Sequence, residues 1–168
     1  IPFWFVPYAI VLGNTVVLKP SEITPVPMNR VMEILHEEVR LPSGVVNLIH
    51  GGKEVAEELV RHRDTVGVAF VGSSNAAKNI YRIAGEHGKR CIAQGGAKNY
   101  IVVMPDADQK VAVPATIGSF FGNCGQRCLA GSNLVVVDSD QGREFVRSFV
   151  RAASSLRVGH GLSPSTEM

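Results

Sequence analysis

The sequence predicts an α/β protein built on a largely parallel sheet. Two observations predict it. Short runs rich in β-branched residues alternate with amphipathic segments along most of the chain, and that alternation is the pattern of repeated βαβ units. The 168 residues, 45% of them apolar, suffice for one domain with a buried core or for two partial ones, and exclude a disordered chain.

Each element follows from its own stretch. Residues 14–20, "NTVVLKP", read as a strand, and residues 27–39 then set Val31, Met32, Ile34 and Leu35 on one helical face. Residues 44–51 are the next strand, 53–62 the next helix and 66–73 the third strand, so three parallel strands with crossover helices are expected. A helix over 75–88 leads into "KRCIAQGG", which carries Cys91 on a strand. Residues 99–107 form a further strand, and 109–122 a helix whose first half is weakened by Pro114. A strand over 133–139 and a helix over 141–159 close the chain, with no internal repeat and no low-complexity linker. The glycine-rich stretch at 94–99 is the best candidate for a domain boundary.

Composition excludes several classes of function. The formal charge of +2 is spread without a basic run, so no nucleic-acid footprint exists. The apolar opening "IPFWFVPYAIVLGN" lacks a basic n-region and a small-residue cleavage site, and is too short to span a bilayer. A soluble chain with no membrane partner is expected. Cys91, Cys124 and Cys128 cannot all pair and fall in no metal-ligand spacing with the five histidines, so reduced thiols in a cytosol-like compartment are expected. The chain opens without Met inside an apolar segment and stops at "LSPSTEM", so a piece of a longer polypeptide is expected.

Three constellations carry chemistry. In "VLKPSE", Lys19 and Glu22 stand at the carboxyl end of a strand, where open α/β sheets bind ligands and where both side chains reach ribose hydroxyls. The same residues read as a turn and helix-entry signal, and taken alone the motif favours that reading. In "FVGSSNAAKNIY", Gly72 and Ser73 end a strand just before a helix whose first-turn amides suit a pyrophosphate; an ordinary N-cap by Ser73 or Ser74 satisfies the same donors. No G-x-G-x-x-G fingerprint is present. In "GNCGQRCLAG", Cys128 has the Arg127 guanidinium beside it and a flexible turn that can aim amides at an adduct. A small buried hydrophobe is the alternative for any cysteine, and the better reading for Cys91 and Cys124. Spacing alone does not lift Cys128 far above it.

Taken together, "GNTVVLKPSE", "FVGS", "GGAKN" and "FGNCGQRCLA" resemble the aldehyde dehydrogenase superfamily, in its order and at about its spacings, over nearly the whole chain. Phe121, Gly125, Gln126 and Cys128 meet the family's F-x-x-x-G-Q-x-C pattern, which implies Cys128 as the nucleophile, while Cys124 lies outside it. The resemblance implies Lys19 and Glu22 as adenine-ribose contacts and Gly72 and Ser73 as the pyrophosphate end of a nicotinamide site. Glu22 would repel a 2′-phosphate, so NAD rather than NADP is expected. Ala77 stands where the family motif has glycine. Gln94 stands where hydrolytic members carry the glutamate that activates water, and an amide cannot take that proton.

The methylmalonate-semialdehyde dehydrogenase branch also lacks that glutamate, and "AKN", "VVMPDA", "HGKR" and "GQRC-[LM]-A" look like that branch. The resemblance therefore implies oxidation of a (methyl)malonate-semialdehyde-type aldehyde through a Cys128 thioester, with transfer of the acyl group to coenzyme A. Hydrolysis to a free acid, and a nucleotide-binding fragment without turnover, are the alternatives. Arg127 is implied as a clamp on the substrate carboxylate, with a loop-bracing role as the alternative. Residues 1–93 would be the second half of a Rossmann-like NAD-binding domain, and 94–168 the start of an α/β catalytic domain. The implied partners are a small-molecule aldehyde and CoA, within a cytoplasmic homodimer or homotetramer, or a mitochondrial matrix one in a eukaryote. The family's oxyanion asparagine is expected upstream of Ile1, and its later cofactor-binding glutamate and oligomerisation segment beyond Met168. The isolated piece is expected to be inactive.

Overall fold

Backbone pairing organises the chain as three successive βαβ units, each closing on its own two strands. In a computed structural model describing residues 1–168, a 3-10 turn at Pro2–Trp4 and helix α1 (Val6–Val11) precede β1 (Val16–Leu18), α2 (Val26–Glu37) and β2 (Val46–Leu48). Helix α3 (Lys53–Arg61) leads to β3 (Gly67–Val71), α4 (Ser74–Glu86) and β4 (Arg90–Gln94). Then come β5 (Asn99–Val103), α5 (Gln109–Phe121), a 3-10 turn at Gly122–Gly125, β6 (Gly131–Val136) and α6 (Asp140–Ser154).

Every pair is parallel. Val16 to Leu18 align with Val46 to Leu48, Gly67 to Val71 with Arg90 to Gln94, and Ile101 to Val103 with Leu134 to Val136. The three-strand sheet expected for the first half does not form: β2 pairs only with β1, and β3 takes β4 as its partner. Apolar runs announce a strand but not which neighbour it will pair with, and here the helix-linked neighbour wins in every case.

The chain divides into two compact units, Ile1–Gly95 and Gly96–Met168. The first has its core where α3 and α4 cover the β3–β4 ladder: Val60, Ile80, Ile83 and Ala84 are buried, with Ala56, Val68, Phe70 and Cys91 packed against them. Ser73 caps α4 by accepting the Ala76 amide at 3.3 Å, and Ala77 is buried on the same helix.

In the second unit α5 and α6 meet through Phe120 and Phe121 on one and Phe149 on the other. Phe120 stands edge-on to Phe149 at 5.6 Å and Phe121 stacks on it at 6.1 Å. Pro114 does not interrupt α5, which runs unbroken to Phe121. The missing N–H forfeits one helical bond, while the buried Thr116 hydroxyl donates to the Ala112 carbonyl at 2.7 Å in the same turn. No helix is long and apolar enough to cross a membrane, and no cluster of three His, Cys, Asp or Glu side chains is placed to hold a metal ion.

Candidate active site

At the carboxyl ends of β1 and β2, Lys19 ties two loops together. Its ammonium donates to the Pro20 carbonyl at 2.6 Å and to the Gly51 carbonyl at 2.7 Å, and pairs with the Glu22 carboxylate at 3.4 Å. Gly51 is required there, because its φ of 152° and the overlap of any Cβ with Val55 exclude other residues. Lys19 is therefore largely spent on the protein, whereas Glu22 is exposed. Its own backbone amide first, and the Lys19 ammonium second, hold the Glu22 carboxyl below the usual carboxylate range.

The carboxyl ends of β3 and β4 bring Gly72, Ser73 and Gln94 together. The Gly72 amide donates to the Gln94 carbonyl at 3.1 Å, one residue beyond the Val71–Gln94 pair. Ser73 is the N-cap, as its alternative reading has it, yet a hydroxyl that accepts from Ala76 keeps its own proton to donate outward. The Gln94 side chain is exposed.

The second unit builds Cys128 into a turn. After α5 the backbone turns left-handed at Asn123 and Cys124, each with φ of 53°, and at Gly125, with φ of 68°. That excursion returns the chain to the end of α5, where the Arg127 guanidinium donates to the Gly118 carbonyl at 2.8 Å and the Gly122 carbonyl at 3.3 Å. The loop-bracing role of Arg127 is thus formed. Residues 127–130 close as a β-turn, with the Ala130 amide on the Arg127 carbonyl at 2.9 Å and Cys128 at its first central position.

Three of the four carbonyls of this turn, those of Arg127, Cys128 and Ala130, are engaged. The Asn99 amide nitrogen donates to the Cys128 carbonyl at 2.7 Å and the Ala130 carbonyl at 2.9 Å. The Gly131 amide donates to the Ser119 hydroxyl at 3.0 Å, and a Cβ on Gly131 would overlap Phe120. The Cys128 and Leu129 amides have no acceptor in the protein, and the Cys128 side chain is exposed. The turn expected to be flexible is held by Asn99, by Ser119 and by its own Ala130–Arg127 bond, and beside the exposed thiol it leaves the Cys128 and Leu129 N–H donors open.

The profile of the Aldehyde dehydrogenase family matches residues 1–168. The chain belongs to this family. Malonate-semialdehyde dehydrogenase 1 of Geobacillus thermodenitrificans is 47% identical over 165 residues, covering 98% of this chain and 34% of that protein. Malonate-semialdehyde dehydrogenase 1 of Oceanobacillus iheyensis is 46% identical over the same shares of the two chains. The solved methylmalonate-semialdehyde dehydrogenase of Oceanimonas doudoroffii superposes with a TM-score of 0.88 at 42% identity, over 98% of this chain and 34% of its own. A Sinorhizobium meliloti protein assigned as methylmalonate-semialdehyde dehydrogenase, solved with NAD, superposes at 0.89 with 37% identity, over 99% and 34%. The chain spans about a third of the length of the curated relatives it matches.

The superfamily resemblance, its semialdehyde dehydrogenase leaning and the α/β fold are borne out. One reading of a thiol is corrected: Cys124 is exposed rather than packed, because the left-handed backbone turns it away from the helix end. Cys91 is half-buried on β4, and burial pushes its thiol up. Sequence reasoning passed over Asn99 and Ser119, which hold the Cys128 turn. Asn99 lay inside the "GGAKN" motif, but nothing in the motif says which carbonyls an amide 29 residues upstream will meet.

Proposed function

We propose that the complete polypeptide oxidises a (methyl)malonate-semialdehyde-type aldehyde with NAD and passes the acyl group to coenzyme A. The observation that carries this reading is the Cys128 turn, which presents an exposed thiol beside the open Cys128 and Leu129 amides. The relatives named for malonate semialdehyde support the substrate class. Residues 1–93 serve as the second half of the NAD-binding domain, and 94–168 as the start of the catalytic domain.

The residues of the first unit suit NAD. Glu22 offers exposed carboxylate oxygens to ribose hydroxyls, with Lys19 holding it in place. Gly72 lets the chain pass close at the strand end, and the Ser73 hydroxyl retains a proton for a phosphate oxygen. When bound, NAD supplies the hydride acceptor. Cys128 Sγ adds to the aldehyde carbon to give a thiohemiacetal, whose oxyanion the Cys128 amide stabilises. Loss of hydride from that carbon leaves a thioester on Cys128. Gln94 cannot accept a proton from water at the position where hydrolytic members carry a base. A thiol needs less help, so CoA takes the acyl group, with loss of carbon dioxide when the substrate is a 3-oxo acid. Arg127 commits one nitrogen to the Gly118 carbonyl of α5 and one to the Gly122 carbonyl just beyond it, and keeps the third for a substrate carboxylate.

NADH formation by the complete polypeptide, with malonate semialdehyde or its methyl homologue and with or without CoA, tests this. Turnover that requires CoA and yields an acyl-CoA is expected. A free acid formed at full rate without CoA would overturn the acceptor.

A further inference from the structure

We propose that Asn99 is a positioning residue that sets the oxyanion geometry of the Cys128 turn. The inference rests on the reading of Cys128 as the nucleophile and extends it to a side chain that does not touch the substrate. Two constraints carry it.

The first is peptide geometry. In a planar trans peptide the C=O of one residue and the N–H of the next point in opposite directions. Asn99 draws the Cys128 carbonyl to itself at 2.7 Å, so the Leu129 N–H points away from Asn99. The Arg127 carbonyl is held by the Ala130 amide, so the Cys128 N–H likewise points out of the turn. With the Arg127, Cys128 and Ala130 carbonyls engaged and the Cys128 and Leu129 amides open beside the thiol, this side of the turn is complementary to negative charge, and Asn99 fixes the peptide that carries the Leu129 amide.

The second is redundancy around the next peptide. The Ala130–Gly131 unit is pinned on both sides, by Asn99 on its oxygen at 2.9 Å and by Ser119 on its nitrogen at 3.0 Å. The Cys128–Leu129 unit has Asn99 alone. Loss of Asn99 therefore frees the peptide beside the thiol, while Ser119 still anchors the start of β6. Loss of Ser119 leaves the Cys128 carbonyl held.

Two reagents separate positioning from bracing. Iodoacetamide alkylates a thiolate by displacing iodide and builds no oxyanion. With p-nitrophenyl acetate the thiolate adds to the ester carbonyl, and the oxyanion then collapses, expelling p-nitrophenolate and leaving an S-acetyl thioester. The ratio of acylation to alkylation rate constants at Cys128, measured by peptide mapping in the complete polypeptide, reads the oxyanion donors alone. Asn99→Ala and the near-isosteric Asn99→Asp should each lower that ratio by about tenfold or more, toward the loss seen when an oxyanion donor is removed. Ser119→Ala should leave it within about twofold. A ratio unchanged in both Asn99 variants overturns the proposal. So does alkylation of Cys91 at the rate of Cys128 in both, which would make Asn99 a residue of the fold only. Cys128→Ser tests the underlying reading separately: acylation that persists in it overturns both, whereas acylation lost in Cys128→Ser but unaltered in the Asn99 variants overturns this inference alone.

Discussion

Cys91, Cys124 and Cys128 carry the same thiol into three settings. Cys91 lies half-buried on β4, where burial disfavours the thiolate; Cys124 stands on left-handed backbone, and Cys128 on a turn with open amides. Only the last combines exposure with donors for a developing charge, so the neighbouring backbone separates the three. The same holds for Gln94, whose carbonyl is taken by Gly72 while its side chain remains exposed. Changing that amide to a carboxylate in the complete polypeptide supplies a base where there is none. Gln94→Glu is expected to raise CoA-independent acid formation by about tenfold or more, at the low end of what a positioned general base contributes. NADH release without CoA measures it, and a rate equal to the parent's would show that Gln94 does not select the acceptor.

At the scale of elements, one carboxylate joins two helices. Glu57 on α3 accepts from Asn79 on α4 at 2.8 Å and from Arg61 on its own helix at 2.8 Å. The Arg61 hydrogen bond first, and that of Asn79 second, hold its carboxyl below the usual range. A carboxyl depressed in the folded state contributes stability fully above its unfolded pKa, about 4.3 for glutamate, and loses it as pH falls through the lower folded value. The thermal midpoint of the chain should fall as pH is lowered below about 4, and Glu57→Gln should lower it at pH 7 while flattening the acid loss. Circular dichroism melts across that range measure both effects, and an unaltered acid slope would count against Glu57 as the link. The amphipathic pattern of α3 and α4 was readable along the chain. The Asn79 contact was not, since it joins polar residues 22 apart that sequence periodicity treats as solvent-facing.

At the scale of the molecule, both faces of the β5–β6 ladder are apolar but only one is covered. A Cβ on Gly131 would meet Ile101 and Phe120, and one on Gly142 would meet Val136, so Ile101 and Val136 face the helices. Tyr100, Val102 and Val135, on the other face, are exposed. Strands apolar on both faces belong to sheets covered on both sides, and the curated relatives are about three times as long as this chain. The isolated 168 residues are therefore expected to give no aldehyde-dependent NADH, and absorbance at 340 nm with malonate semialdehyde, NAD and CoA would show any that forms. The order of strands and helices, the family, and Cys128 with its flanking Gly-Gln motif were legible in the sequence, because they depend on residues close together in the chain. Strand partners, the burial of each cysteine and the hold of Asn99 on the Cys128 turn were decided only by tertiary structure. Those properties depend on which distant backbone groups meet, and hydrogen bonding between them leaves no periodic trace in the sequence.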